Sequence, residues 1–212
     1  MKTYDWNKDF WQRHLNDRDA MDLFDQLWLT RHLPFLRTLP KGRVLDLGCG
    51  LGQYTEMWHA LGFSVTSADI SSDALAQLKE RLPCADTVRL DMSQPLPFPD
   101  GGFDVVFASL SIHYFPEVQT DALLSEICRI LKPGGYFIGS VNSTVAYVYI
   151  QDSAVTLEEN FYFTDGRHIR LFDRAAFDRF FAGFDQVLLE LTHTVRFKKP
   201  KDQWEFIYRR PL

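Results

Sequence analysis

Residues 44–53 read VLDLGCGLGQ. A hydrophobic run carries an acid, Asp46, and Gly48, Gly50 and Gly52 follow at every second position. Glycine has no Cβ and accepts positive φ, so such a turn lets a ligand lie against the main chain. A pyrophosphate cradle of the G-x-G-x-x-G type needs its third glycine at position 53, where the chain has Gln53. No G-x-x-x-x-G-K-S/T occurs either, so no lysine stands ready for a triphosphate. Further acids close later hydrophobic runs: Asp69 ends FSVTSAD and Asp91 ends ADTVRLD. His113, in SLSIHYF, suits a general base or a packed wall. The stretch NFYFTDGRHIRLF (160–172) gathers aromatics with Arg167, His168 and Arg170, so Tyr162 and His168 suit either a ligand pocket or a self-packed lid. Cys49, Cys84 and Cys128 form no C-x-x-C pair, and no spacing suggests a cluster of oxygen ligands. Neither a disulfide framework nor a metal is implied, and a reducing, cytoplasmic setting is expected.

These residues need a scaffold. Strands are predicted at 43–47, 63–69, 85–91, 103–109 and 136–142, with helices at 53–61, 72–82 and 117–131 between them. Ser71 or Ser72 can cap the second of these helices. In the third, Leu123, Ile127, Ile130 and Leu131 make one apolar stripe. Lys132-Pro133-Gly134-Gly135 reads as the stop and turn into the next strand. A helix at 173–181 and strands near 185–192 and 203–209 follow. The short link between these last strands makes them antiparallel neighbours. Trp204, Phe206 and Tyr208 alternate with polar positions, which predicts a strand with a solvated outer face.

The expected fold is α/β: a doubly wound, seven-stranded sheet, mostly parallel with an antiparallel last strand. Residues 1–212 read as one domain. Its first 39 residues form a helical cap carrying Trp6, Phe10, Trp11 and Trp28, and 143–172 form a lid. That lid is long for a connection at a strand's carboxyl end, the position that covers a ligand crevice. A net charge of −5 disfavours nucleic acid and anionic membrane as partners. No secretory signal or membrane-spanning run is read in the sequence.

VLDLGCGLGQYT, SADIS (67–71), RLDMSQPLPFPDGGFDVVFAS (89–109) and RILKPGGYFI (129–138) occur in that order. Together they resemble the class I S-adenosylmethionine-dependent methyltransferases of small molecules, over roughly Lys41 to Asn142. The resemblance implies a Rossmann-like sheet and S-adenosylmethionine as cofactor, with S-adenosylhomocysteine as product. It implies that the methionyl portion lies along Gly48, Cys49, Gly50 and Gly52, with Asp46 orienting its ammonium. Asp69, next to Ile70, would accept the ribose hydroxyls; its other reading is an acid answering the following helix's dipole. Asp91 would meet the adenine amino group, Met92 its ring, and Ser109 would face the transfer point. His113 becomes the candidate base. The aromatic N-terminus is similar to that of thiopurine, halide and tellurite methyltransferases, which makes Trp11 a candidate acceptor contact beside Tyr162 and His168. The implied reaction is in-line methyl transfer to a nitrogen, oxygen or sulfur of a small molecule. Two rival readings are a protein that binds the cofactor without transferring methyl, and a nicotinamide-dependent oxidoreductase.

Overall fold

A computed structural model describes residues 25–145, 150, 154–196 and 199–212. Two short helices come first, α1 (Asp25–Arg31) and α2 (Leu33–Thr38). Strands and helices then alternate: β1 (Arg43–Leu47), α3 (Gln53–Ala60), β2 (Ser64–Asp69), α4 (Ser72–Arg81) and β3 (Asp86–Arg89). They continue through β4 (Phe103–Ser109), α5 (Glu117–Ile130) and β5 (Leu131–Asn142). Three short strands follow, β6 (Val155–Glu158), β7 (Phe161–Thr164) and β8 (Arg167–Arg170). The chain closes with α6 (Arg174–Phe180), β9 (Asp185–Arg196) and β10 (Lys199–Arg209).

The main sheet has seven strands in the order β3-β2-β1-β4-β5-β10-β9. Strands β1 to β5 are parallel, and β10 runs antiparallel to both β5 and β9. This is the expected architecture. The order reverses between β1 and β4, and open α/β sheets bind ligands outside the carboxyl ends of the strands at such a point. One face packs under α1, α2 and α3 through Trp28, Leu36, Tyr54, Trp58, Phe107, Ile138 and Ile207. The Trp28 and Phe107 rings stack there at 5.9 Å. The other face buries Leu123, Ile127, Phe137, Phe177, Phe181 and Phe206 against α5 and α6. Among the described residues no helix is long and apolar enough to cross a membrane.

Several expectations need correcting. Strand β5 begins at Leu131, opposite Phe103, and the Pro133–Gly135 turn is an irregularity within it, absorbed by Gly134 at φ 76°. Strand β3 is shorter than read, and β9 and β10 are longer. The face of β10 predicted to be solvated is buried: Gln203 and Glu205 are 5 % and 1 % exposed. Alternation misled here because β10 lies inside the sheet and is covered on both faces. The N-terminal aromatics Trp6, Phe10 and Trp11 lie outside the described residues.

The described part of residues 143–172 contains a small antiparallel sheet, β6-β7-β8. Its anchor is Arg170, whose side chain is nearly fully buried. The guanidinium pairs with Glu158 at 2.5 Å and donates to the carbonyls of Phe115, at 3.0 Å, and Glu159, at 3.3 Å. Glu158 also accepts the Glu117 backbone N–H at 2.8 Å, answering an open donor in the first turn of α5. Strand β8 is thereby fastened to the loop after β4, the loop that carries His113.

Candidate functional site

Asp46, Asp69, Asp91 and Ser109 come from the carboxyl ends of neighbouring strands or the residues just beyond them. Topology alone therefore gathers side chains that are far apart in sequence. The glycine turn after β1 hangs on β2, since Gly48 and Cys49 both donate to the Ala68 carbonyl, at 2.7 and 3.0 Å. Asp69 completes the attachment. Its Oδ2 accepts the Gly50 N–H at 2.8 Å and its Oδ1 the Ser71 N–H at 2.9 Å. Each oxygen keeps lone-pair capacity for a further donor. Burial raises the Asp69 pKa, and the backbone donors oppose that rise.

The three turn glycines are not equivalent. All have positive φ, at 79°, 53° and 82°. A methyl group on Gly48 would stand 2.3 Å from the Ser111 Cβ, and one on Gly52 would stand 2.3 Å from a Leu78 methyl. These two glycines serve close packing of the turn on its own neighbours. A methyl group on Gly50 meets no atom within 4 Å. Only there is the main chain open on the side where a side chain would project. Cys49 supplies backbone, its thiol being buried and its pKa pushed well up.

Asp46 is buried beneath this turn. Thr55, in the first turn of α3, donates to its Oδ2 at 2.7 Å and lies 2.8 Å from the Ser67 hydroxyl. Burial lifts the Asp46 carboxyl to about 7, the Thr55 bond lowers it, and the nearby Asp69 charge adds to the rise. Asp91 Oδ1 accepts the Ser93 N–H at 2.8 Å, which bends the chain after β3. Met92 reaches back to within 3.3 Å of a methyl placed on Gly48, so it borders the same turn. Ile70 lends its carbonyl to Arg89, at 3.2 Å.

Ser109 shares a 2.9 Å hydroxyl contact with Ser140 of β5. The next residue, Leu110, takes a left-handed φ of 53°, an unusual conformation for a non-glycine residue. It redirects the chain so that Ser111 donates to the Leu47 carbonyl at 2.7 Å. His113 is only 2 % exposed, deeper than a residue at the crevice mouth. Its Nε2 lies 3.1 Å from Asn142 Nδ2, and its carbonyl accepts the Arg170 N–H at 2.7 Å. Tyr162 packs against the lid's own cluster of Ile150, Ile169 and Leu171. His168 lies against Phe161 and Phe163, and burial lowers its pKa to about 4.

Sequence reading missed Thr55, Ser67, Ser111 and Asn142, and gave Arg170 no anchoring role. Thr55 had a weak signal, as a hydroxyl in the first turn of the helix after the glycines. The others meet their partners only through sheet register and lid docking.

Two tests follow from this geometry. Gly48→Ala and Gly52→Ala should destabilise the fold by more than the ~1–2 kcal/mol of left-handed strain alone, and Gly50→Ala by about that strain only. Denaturant midpoints check the ranking, and equal losses at all three positions would contradict it. Asp46 sets the second. Its folded pKa exceeds its unfolded one, so its contribution is fully present below pH 3.8 and is lost as pH rises to about 7. Asp46→Asn should therefore flatten the fall in stability across that window.

Comparison with known proteins fits this arrangement. Residues 45–139 match the sequence family described as methyltransferase domain. An uncharacterised methyltransferase of Synechocystis sp. is 39 % identical over 98 residues, 46 % of this chain and 46 % of that protein. A demethylmenaquinone methyltransferase of Beutenbergia cavernae is 37 % identical over 128 residues, 59 % of this chain and 52 % of that one. The chain thus spans about half the length of these two relatives. Among solved structures, the 1,6-didemethyltoxoflavin-N1-methyltransferase of Burkholderia thailandensis, with S-adenosylhomocysteine bound, superposes with a TM-score of 0.67. It is 18 % identical, and the match covers 97 % of this chain and 87 % of that one. Sheet order and superposition agree on the fold, a Rossmann-like seven-stranded sheet, and residues 45–139 of it match the methyltransferase-domain family.

Proposed function

We propose that this chain, acting as one domain, binds S-adenosylmethionine across the ends of β1 to β4 and transfers its methyl group to a small molecule. The observation that carries the reading is the pairing of Gly50, open on its outer side, with an oriented Asp69 carboxylate. The donor set fits the cofactor. Asp69 accepts the ribose hydroxyls, each charge-assisted bond contributing about 1.5–3 kcal/mol. Asp46 answers the methionyl ammonium, with Thr55 fixing its carboxylate. Asp91 takes the adenine amino group on the oxygen that Ser93 leaves open, and Met92 borders the ring. Cys49 and Ile70 contribute main chain.

When bound, S-adenosylmethionine supplies a methyl group already activated on a sulfonium. The residues of this chain therefore have alignment and water exclusion as their main tasks, which supply about 7–11 kcal/mol in well-oriented reactions. Ser109 and Ser140 flank the transfer point, and the docked lid keeps water out. His113 receives a proton where the acceptor must lose one. In the orientation seen, Asn142 donates to His113 Nε2, so that nitrogen takes an acceptor's proton only after Asn142 gives way. Tyr162, His168 and the N-terminal Trp11 are the acceptor contacts in this reading, in a cytoplasmic setting. Nucleic acid and membrane are not partners.

The acceptor is a small molecule methylated on nitrogen, oxygen or sulfur. Support for a small-molecule acceptor comes from a relative named for demethylmenaquinone and a structural neighbour named for N1 of 1,6-didemethyltoxoflavin. The test is S-adenosylhomocysteine formation with a panel of quinols and nitrogen heterocycles. His113→Ala should cut turnover roughly 10²–10⁴-fold if the residue is a base. A loss of only a few-fold makes it a packing residue. No product with any acceptor favours a protein that binds the cofactor without transferring methyl.

A further inference from the structure

At the far side of the sheet from the glycine turn, β9 and β10 place Glu190 directly opposite Glu205. Like charges opposed across strands are destabilising. Glu205 is also almost fully buried, so its charge must be answered locally. Part of the answer is present. Arg31, at the end of α1, pairs with Glu205 Oε2. Thr192 donates to Oε1 at 2.8 Å and Gln203 at 3.3 Å. Two carboxylates still face one guanidinium.

His32, at the junction of α1 and α2, completes the group. Its Nε2 is buried, makes no hydrogen bond, and lies 3.8 Å from Glu205 Oε2. Ligand atoms of His32, Glu190 and Glu205 lie within 4.8 Å of one another. Around a bound zinc ion, nitrogen and oxygen ligands sit at about 2.0–2.2 Å. A contraction of under about one ångström brings the three into that range.

We infer that His32, Glu190 and Glu205 form a divalent transition-metal site, held by one imidazole and two carboxylates, that Arg31 guards when no ion is bound. The ligand set suits zinc or manganese and disfavours magnesium, which dehydrates reluctantly and prefers oxygen alone. Thr192 and Gln203 orient Glu205 by holding its other oxygen, the usual work of groups behind a metal ligand. The Arg31 side chain is 52 % exposed, so it can swing into solvent as the ion enters. Glu190, exposed, gives the entry path. Three protein ligands leave coordination open for water or an oxygen ligand. Through the cross-strand pairs Ser109–Ser140 and Ser140–Glu205, the site lies two strands, about 10 Å, from Ser109. The inference does not depend on methyl transfer.

Calorimetric titration of the whole chain with zinc alone and magnesium alone tests it, alongside the His32→Ala, Glu190→Gln and Arg31→Gln variants. The expected result is one equivalent of zinc bound and magnesium not. Binding should weaken at least tenfold in His32→Ala and in Glu190→Gln, and tighten several-fold in Arg31→Gln. Trp28, edge-on to His32 at 5.8 Å, gives a fluorescence reporter of the same event. Absence of zinc binding overturns the site. So does zinc binding that survives both ligand variants, or magnesium bound as well as zinc. Weaker binding in Arg31→Gln would show that the arginine completes the cluster, and also overturns it.

Discussion

The geometry of the site depends on one carboxylate. Asp69 ties the Gly50 amide of the turn after β1 to the Ser71 amide that opens α4. Ser71 in turn caps that helix by accepting from the Ala74 N–H at 3.2 Å. A single side chain at the end of β2 thus fixes both a glycine turn with little rigidity of its own and a helix N-terminus. The charge costs desolvation, visible as the raised pKa, and the backbone donors of Ser71, Gly50 and Ile70 oppose that rise. The same carboxylate raises the neighbouring Asp46. Two acids with different burial and different partners therefore stand side by side, which suits one ligand that offers both hydroxyls and a positive charge.

A second constraint is the change of character along one face of the sheet. At the level of Phe107, Ile138, Ile207 and Leu188 the cross-strand row is apolar and carries the core under the N-terminal helices. One step towards the carboxyl ends, the row is Ser109, Ser140, Glu205 and Glu190. The next brings Asn142, Gln203 and Thr192. Buried polar groups cost about 1–3 kcal/mol each when unsatisfied. Here Ser109 meets Ser140, Asn142 meets His113, and Thr192 and Gln203 meet Glu205. The apolar rows hold the sheet together, and the polar rows lie towards the carboxyl ends of β4 and β5.

The alternation of strands and helices, the antiparallel final pair and a serine cap at 71 or 72 were legible because each rests on local patterning. Asp46, Asp69 and Asp91 could be read because each lies within two residues of the end of a short strand. Local patterning could not tell that Gly48 and Gly52 serve packing, since Ser111 and Leu78 approach them from other elements. It misjudged Gln203 and Glu205, whose alternation imitates a solvated face while α1 and β9 cover them. Arg170 looked like one of several lid charges, yet it fastens β8 to the His113 loop. His32, Glu190 and Glu205 come together from three separate elements, which spacing along the chain does not report.

The central claim is that the turn of Gly48, Gly50 and Gly52, tied down by Asp69, holds S-adenosylmethionine. Calorimetric titration of the chain and of its Asp69→Asn variant with S-adenosylmethionine, S-adenosylhomocysteine and NAD tests this most directly. The account predicts binding of the first two at roughly micromolar affinity, about −8 kcal/mol, with no binding of NAD. It predicts at least about tenfold weaker binding in the variant, as expected from losing a charge-assisted bond. Binding of NAD alone, or affinity for S-adenosylmethionine unchanged by the loss of the Asp69 charge, would contradict it.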